Sequence, residues 1–485
     1  MKAITRLEKS KHFWLLILFS FLFFLLRLPS LYEPYWYGDE GVYQAVGMLI
    51  RSGESLYSGA WENKPPLLLV IYALFNSDQF ALRSLSLVFG LISLWFFFLT
   101  SRTLFPASKY APGVSTAAFL FIFGTRLIEG NIANAENFMI LPIMISAYLV
   151  VSTDLWKKLW HIKSFTAAGL ILSLAFFIKI VAIFDFFAFS SFLLITKGDL
   201  LKEKIRNKLI PFSIGFILLP IAIASYFLLT NNFKGFLDAL LLQNITYVGF
   251  GNELLIPQGF LYLKAILLVA FVGVVFILRN KLERRIIFVI LWFAFSLFNA
   301  FFSQRPYTHY LITLLPSFAL LIGLVIEEKR FKLPLLGILI AGFIVVNYTF
   351  NLKFEFISHY TNLVSFFTNK ISLSQYQAFF DTNTPRDYEI AMYIKINTME
   401  NERVFIWGNN AQVYKLSNKT PITRYTVAYH ITNFPNGIPE MEEAISNKKP
   451  GLIVVMPNVV PFPLALNNYN EKIIISDAII YERVL

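Results

Sequence analysis

FWLLILFSFLFFLLRL, the run Phe13–Leu28, is followed within ten residues by Tyr37-Gly38-Asp39-Glu40-Gly41-Val42-Tyr43, and this juxtaposition decides the class of fold. The run approaches the roughly 20 apolar residues that cross a hydrocarbon core. It is not read as a signal peptide, because no small-residue cleavage site follows it. Two adjacent carboxylates cannot follow it into lipid without large cost. The chain therefore leaves the bilayer there and holds an acid pair close to its surface. The same polar loop runs on to Asn63-Lys64-Pro65-Pro66-Leu67 and adds a cation. A loop so equipped and so tethered is suited to chemistry on a lipid headgroup.

Composition agrees with this reading. Apolar residues make up 56% of the 485, charged residues only 15%, and the mean hydropathy is +0.60, values that belong to a polytopic membrane protein. Further apolar runs begin at Ala81, Tyr110, Asn137, Ser164, Leu209, Gly259, Ile286, Tyr307 and Leu333. The run Ser164–Ile195 would overshoot a roughly 30 Å core as one helix, so two short helices broken near Lys179 are expected. That makes eleven transmembrane helices in an all-α membrane domain over residues 1–350. Pro65–Phe75 opens with two prolines and is too short to span, so it is expected to lie along or dip into the outer interface.

Charge orients the spans. A cytoplasmic N-terminus collects 21 basic residues inside: Lys2, Arg6, Lys9 and Lys11, Arg102 and Lys109, Lys157, Lys158 and Lys163, five between Lys197 and Lys208, four between Arg279 and Arg285, and Lys329, Arg330 and Lys332. The exterior loops then hold only Arg51, Lys64, Arg83, Arg126, Lys234 and Arg305. Eleven crossings leave the C-terminal part outside a multi-pass plasma-membrane protein. Residues 351–485 carry twelve basic and twelve acidic residues, so the net charge of +12 belongs to the membrane part. That excess serves topology and anionic-lipid contact, not nucleic acid. The absence of cysteine rules out disulfides, thiolate metal sites and cysteine nucleophiles.

Beyond Phe350 the pattern changes to that of a small α/β domain over residues 351–485. Arg386–Met399, Ala411–Leu416 and Pro439–Asn447 read as helices, and Arg403–Trp407, Gly451–Met456, Lys472–Ser476 and Ile479–Val484 as strands of a partly parallel sheet. Gly408-Asn409-Asn410 lacks the further glycines of a dinucleotide fingerprint.

Polar residues at the exterior ends of the spans are the candidate site. Asp39 and Glu40 open a short helix starting near Val42, where carboxylates are favoured by unpaired backbone N–H groups. Glu129 and Glu136 fall in the turn between the third and fourth helices. Lys64 sits where a phosphate headgroup would lie. Lys179 is an intramembrane cation that needs a partner, for which Asp185 is a structural candidate. Arg305 precedes Pro306-Tyr307-Thr308-His309-Tyr310 at the mouth of the tenth helix.

Taken together, these motifs resemble the multi-spanning GT-C glycosyltransferases, in particular the group of the protein O-mannosyltransferases and lipid A aminoarabinose transferases. The resemblance is carried by Gly38-Asp39-Glu40-Gly41-Val42-Tyr43, Asn63-Lys64-Pro65-Pro66-Leu67, Ala135-Glu136-Asn137, Leu174-Ala175-Phe176-Phe177-Ile178-Lys179, and Arg305 through His309-Tyr310-Leu311 to Leu315-Pro316. It implies a GT-C membrane fold and transfer of a sugar from a polyprenyl-phosphate donor to a glycan, lipid or protein acceptor on the exterior face. Asp39 would be the general base, with Glu40 and Glu136 in the catalytic group, and Lys64, Lys179, Arg305, His309, Tyr310 and Tyr43 would bind substrate. Lipid phosphate is a good leaving group, so a carboxylate to take the acceptor's proton and cations to hold the departing phosphate suffice. Asn63 stands where many relatives have histidine, and Glu136 where many have aspartate. No cofactor is expected; a hard metal on Asp39, Glu40 and Glu136 is conceivable chemistry that the group is not thought to need. The alternative is a flippase or transporter of lipid-linked saccharide. Such a protein concentrates charge at the midplane and shows repeated halves, neither of which is visible here.

Overall fold

The computed structural model describes residues 11–156, 161–245, 259–303 and 305–484. Lys2, Arg6, Lys9, Lys157 and Lys158, counted above among the cytoplasmic charges, lie outside the described residues. The eleven apolar segments are all helical: Lys11–Arg27, Gln79–Leu104, Ala111–Gly124, Ala135–Trp156, His161–Ile178, Ile183–Ile195, Ile210–Leu229, Gly259–Leu278, Arg284–Ala300, Leu311–Glu327 and Lys332–Phe350. Eight described helices are long and apolar enough to cross a membrane; Ala111–Gly124, Ile183–Ile195 and Arg284–Ala300 are shorter. The expected break is present. Lys179 is extended (φ −153°, ψ 127°) and a single 3-10 turn, Ile180–Ala182, leads into the next helix.

The chain forms two compact units. The first contains Met1–Leu28, Leu85–Thr230 and Leu241–Phe356. Its inner helices are those that carry polar residues at their ends: 72% of the Ala135–Leu155 window and 78% of the Thr308–Glu327 window is buried, against 6% for Leu261–Leu278. Peripheral helices such as Leu261–Leu278 keep a continuous apolar surface, which only lipid can cover without cost. Helices His161–Ile178 and Ile210–Leu229 touch backbone to backbone. A Cβ on Gly169 would come 1.9 Å from the Phe212 carbonyl oxygen, and one on Gly215 equally close to that of Thr166, the small-residue contact by which membrane helices approach closely. Phe186 stacks on Phe212 beside it, centroids 5.2 Å apart.

The two ends of this unit differ chemically. At one end Asp154 accepts from Lys208 (2.5 Å) and from Arg284 (3.1 Å), so basic loops are gathered there. Glu136 stands in the first turn of the same helix, roughly 27 Å away along the axis.

The second unit contains Pro29–Ser84, Asn231–Leu240 and Ile357–Leu485; the first loop thus packs with the C-terminal part. Its helices Gly38–Arg51 and Pro66–Leu74 come from that loop. Phe356–Phe367, Leu373–Ala378, Thr384–Asn397, Gln412–Ser417, Ala428–Asn433 and Gly437–Lys448 surround a sheet of β1 (Val404–Trp407), β2 (Leu452–Val455), β3 (Tyr469–Ile475) and β4 (Ala478–Arg483). Strand order is β1-β2-β4-β3. β1 and β2 are parallel, with Val404 opposite Leu452, and the other pairs are antiparallel. Helices occupy the β1–β2 crossover, as a parallel pair requires. β3 and β4 are joined by Ser476-Asp477, both at positive φ (45° and 71°), the backbone of a two-residue hairpin turn matched to strand twist.

Trp61, from the first loop, is buried in the core of this α/β unit with Phe405, Trp407, Ile422, Tyr425, Ala428, Ile431, Met441 and Ile453. Its backbone N–H donates to the Arg424 carbonyl (3.0 Å). Gly41 is needed for a second contact, since a Cβ there would lie 2.7 Å from the Gln412 backbone nitrogen. Gln412 is in turn held by Asp387, whose Oδ2 accepts from Gln412 Nε2 and Asn410 Nδ2, each at 2.8 Å. Gly408-Asn409-Asn410 is therefore part of a scaffold for the acid-bearing helix.

Candidate active site

In the second unit, the Asp39-Glu40 pair divides. Both residues lie in the first turn of Gly38–Arg51, where backbone N–H groups favour negative charge. The helix period turns them to different surroundings. Glu40 is 2% exposed and is gripped by Arg83, whose Nη2 donates to Oε2 at 2.7 Å and whose Nε bridges both carboxylate oxygens. Arg83 Nη1 donates to Glu33 Oε2 (2.8 Å) and to the Ser30 carbonyl (3.0 Å). This buried guanidinium, at the head of the Gln79–Leu104 helix, is thus neutralised by two carboxylates. Asp39 stays half-buried. Tyr43, a turn further on, is packed edge-on against Tyr72, centroids 5.4 Å apart, with Lys64 Nζ 6.0 Å above its ring.

Lys64 is held by its neighbours: Nζ donates to Asn63 Oδ1 (3.0 Å) and stands 3.6 Å from Glu62 Oε1. Its carbonyl accepts from the buried Tyr57 hydroxyl (2.9 Å). The side chain nevertheless keeps 21% of its surface exposed, while Glu62 keeps 4%. Burial raises the Glu62 pKa, the Lys64 ammonium opposes that rise, and the Asp39 carboxylate adds to it, so all three charges share one field. His430 Nε2 lies 3.8 Å from Glu62 Oε2 and its ring meets Trp61 edge-on (4.7 Å). Burial first, then the Lys64 charge, pushes His430 down to about 3.

In the first unit, a second cluster forms at the end opposite Asp154. Glu136 pairs with Lys179, whose Nζ lies 4.4 Å over the Tyr310 ring. His309 Nε2 stands 4.0 Å from Glu136 Oε1, and its Nδ1 is 3.0 Å from Glu129 Oε2. Glu129 also accepts from Thr308. It reaches this position through a left-handed backbone (φ 58°). Glu136 Oε2 is buried with no hydrogen-bond partner among the described residues. Arg305 is half-buried in the segment leading to Thr308–Tyr310. Asp185 is not the partner of Lys179: it accepts from the Trp292 indole N–H (2.8 Å). The extended residue at the helix break starts a new helical phase, and Asp185 turns toward Arg284–Ala300.

Of the expected residues, Asp39, Glu40, Tyr43 and Lys64 thus lie in one unit, and Glu136, Lys179, His309 and Tyr310 are gathered in the other. Glu33, Arg83, Glu62 and His430 were not expected. Arg83 had a signal, being an arginine at the head of an apolar helix, where an unpaired charge is costly. His430 had none. Among the described residues no group of three or more His, Asp or Glu is disposed to hold a metal ion.

Residues 64–237 match the profile of the family described as dolichyl-phosphate-mannose-protein mannosyltransferase. Comparison with curated proteins by sequence gives no match. The fold is similar to that of ArnT from Cupriavidus metallidurans, crystallised with undecaprenyl phosphate. The TM-score is 0.57 at 13% identity, over 97% of this chain and 98% of that one. The Archaeoglobus fulgidus oligosaccharyltransferase, tethered to an acceptor peptide, gives a TM-score of 0.48 at 12% identity, over 92% of this chain and 69% of that one.

Proposed function

We propose that this chain is a GT-C glycosyltransferase, as its family-profile match and ArnT-like fold support, and that it moves a sugar from a polyprenyl-phosphate donor to an acceptor hydroxyl or amine on the exterior face of the plasma membrane, with Asp39 as the general base. The observation that carries the reading is the split of the acid pair. Arg83 occupies and buries Glu40, whereas Asp39 remains half-exposed in the first turn and shares a field with Lys64. In the reaction the acceptor heteroatom bonds to the sugar's anomeric carbon as the bond from that carbon to the phosphate oxygen breaks. The acceptor's proton passes to the Asp39 carboxylate, and the bonding pair leaves with the polyprenyl phosphate. Lys64 holds that departing charge, exchanging its contact with Glu62 for the phosphate. The crystallised complex of ArnT with undecaprenyl phosphate supports the choice of carrier. Glu136, tied to Lys179 and beside His309, anchors a second cationic group that, with Arg305 and Tyr310, binds substrate.

The test is an ordering of variants with one donor and one acceptor. Asp39→Asn keeps size and capping ability and is expected to lose about 10² to 10⁴ in turnover at normal folded yield. Glu40→Gln leaves Arg83 matched by Glu33 but replaces charge-assisted bonds at a buried position with weaker neutral ones, a loss of about 1.5–3 kcal/mol, and is expected to lower folded yield and melting temperature first. Lys64→Ala, which also removes the counter-charge of the buried Glu62, is expected to lower transfer far more than it lowers folded yield. Turnover by purified Asp39→Asn near the parental rate, beside a folded but inactive Glu136→Gln, would move the base to the Glu136 cluster.

A further inference from the structure

The helix Phe356–Phe367 has two unlike faces. Inward, Leu363 packs with Tyr376 and Phe380, and Trp36 and Phe366 lean on the same cluster. His359 Nε2 stands on that face 3.0 Å from Glu33 Oε1, at ion-pair distance though not aligned as a hydrogen bond. Outward, Ile357 is 73% exposed, Val364 56% and Phe367 57%. Their spacing of seven and three residues places them on one stripe. An aqueous surface has no use for such a stripe, and the position of this helix in the chain says what covers it. Lys332–Phe350, a long apolar helix only 17% buried, ends at Asn351 with a left-handed cap (φ 46°). Just five residues, Asn351-Leu352-Lys353-Phe354-Glu355, intervene, a reach of at most about 17 Å. Phe354 in that link is 71% exposed, and Tyr348, in the last turns of the preceding helix, is 89% exposed, as expected of aromatic rings at a headgroup boundary. The link is too short to carry the stripe far from the membrane surface.

We propose that Phe356–Phe367 lies in the headgroup–acyl boundary of the bilayer, with Ile357, Val364 and Phe367 against lipid. Its inner face thereby holds the approach to the site at fixed depth. His359 meets Glu33, Glu33 accepts from the Trp36 indole N–H (2.8 Å) and from Arg83, and Arg83 fixes Glu40 beside Asp39. A polyprenyl phosphate presents its phosphorus at one depth, so a base positioned by lipid contact stays level with it. The lipid seat is independent of the transferase reading; only its effect on turnover rests on that reading.

The chain has no cysteine, so single Ile357→Cys, Val364→Cys and Lys395→Cys variants of the full-length protein can each carry one bimane label. They are reconstituted into phosphatidylcholine–phosphatidylglycerol vesicles and titrated with a shallow doxyl-phosphatidylcholine and with iodide. Lys395 is exposed on the helix Thr384–Asn397 and serves as the aqueous reference. Labels at 357 and 364 are expected to be quenched several-fold more strongly than that at 395 by the doxyl lipid, and several-fold less by iodide. Iodide quenching equal to that at 395 overturns the proposal, because the stripe would then face water. Shielding from both quenchers also overturns it, because protein rather than lipid would cover the stripe. Val364→Glu is expected to weaken doxyl quenching at 357, while Val364→Leu leaves it intact. If Val364→Glu weakens quenching at 357 but leaves transfer unchanged, the lipid seat stands and the depth-setting role falls.

Discussion

His430 shows how far a single residue can be read from chemistry once its surroundings are known. It is a buried imidazole that packs on Trp61 beside Glu62, and Lys64 adds a positive charge nearby. With its folded pKa pushed down to about 3, the native state refuses a proton that the unfolded chain accepts below about pH 6.5. The unfolded state then binds more protons between those limits, so stability that is intact above about pH 6.5 is lost as pH falls toward 3. The full penalty is about 1.4 kcal/mol per pH unit. The melting temperature of the purified protein is expected to drop between about pH 7 and pH 5, and His430→Gln to flatten that drop. Glu62, whose pKa is raised, works in the opposite direction at lower pH, so the difference between parent and variant isolates the histidine. Identical pH profiles for the two proteins would contradict the assignment.

At the scale of elements, the loop Trp61–Leu69 is held by a tryptophan rather than by its prolines. Pro65 and Pro66 set the start of the helix Pro66–Leu74, as proline favours a first helical turn. The depth at which Lys64 sits follows from Trp61, three residues earlier, inserted into the α/β core. Trp61→Ala is expected to cost about 3–5 kcal/mol and to free the Lys64 segment. Limited proteolysis should then cut near Lys64 while the helices of the first unit remain protected, and transfer should fall. Protection near Lys64 equal to that of the parent would show that the prolines alone hold the loop. The same logic applies to Gly41, which reads in the sequence as one letter of a motif. In the fold it is the point where backbone meets backbone at Gln412.

For the molecule as a whole, the decisive property is polarity between two membrane faces. Asp154, Lys208 and Arg284 gather at one end of the helical unit and Glu136, Lys179 and His309 at the other. The basic end is the one expected on the cytoplasmic side if positive charge is retained there. A reporter fused after Leu485 is expected outside and one inserted at Lys204 inside. A cytoplasmic signal from the C-terminal fusion would remove the eleven-crossing arrangement and the exterior site with it.

Apolar run length and the placement of lysine and arginine determined by themselves where the helices lie, because a span answers to local hydrophobicity and a loop to local charge. The break at Lys179 and the four strands were legible for the same reason, since periodicity and turn residues are properties of neighbours in sequence. Which charges are occupied was decided only by the tertiary structure. Arg83 finds Glu33 and Glu40 across roughly fifty and forty residues of chain, Lys179 takes Glu136 in place of Asp185, and Trp61 and His430 meet across hundreds. A buried charge must be matched by whatever counter-charge the fold brings near, and proximity in space leaves no trace in local composition.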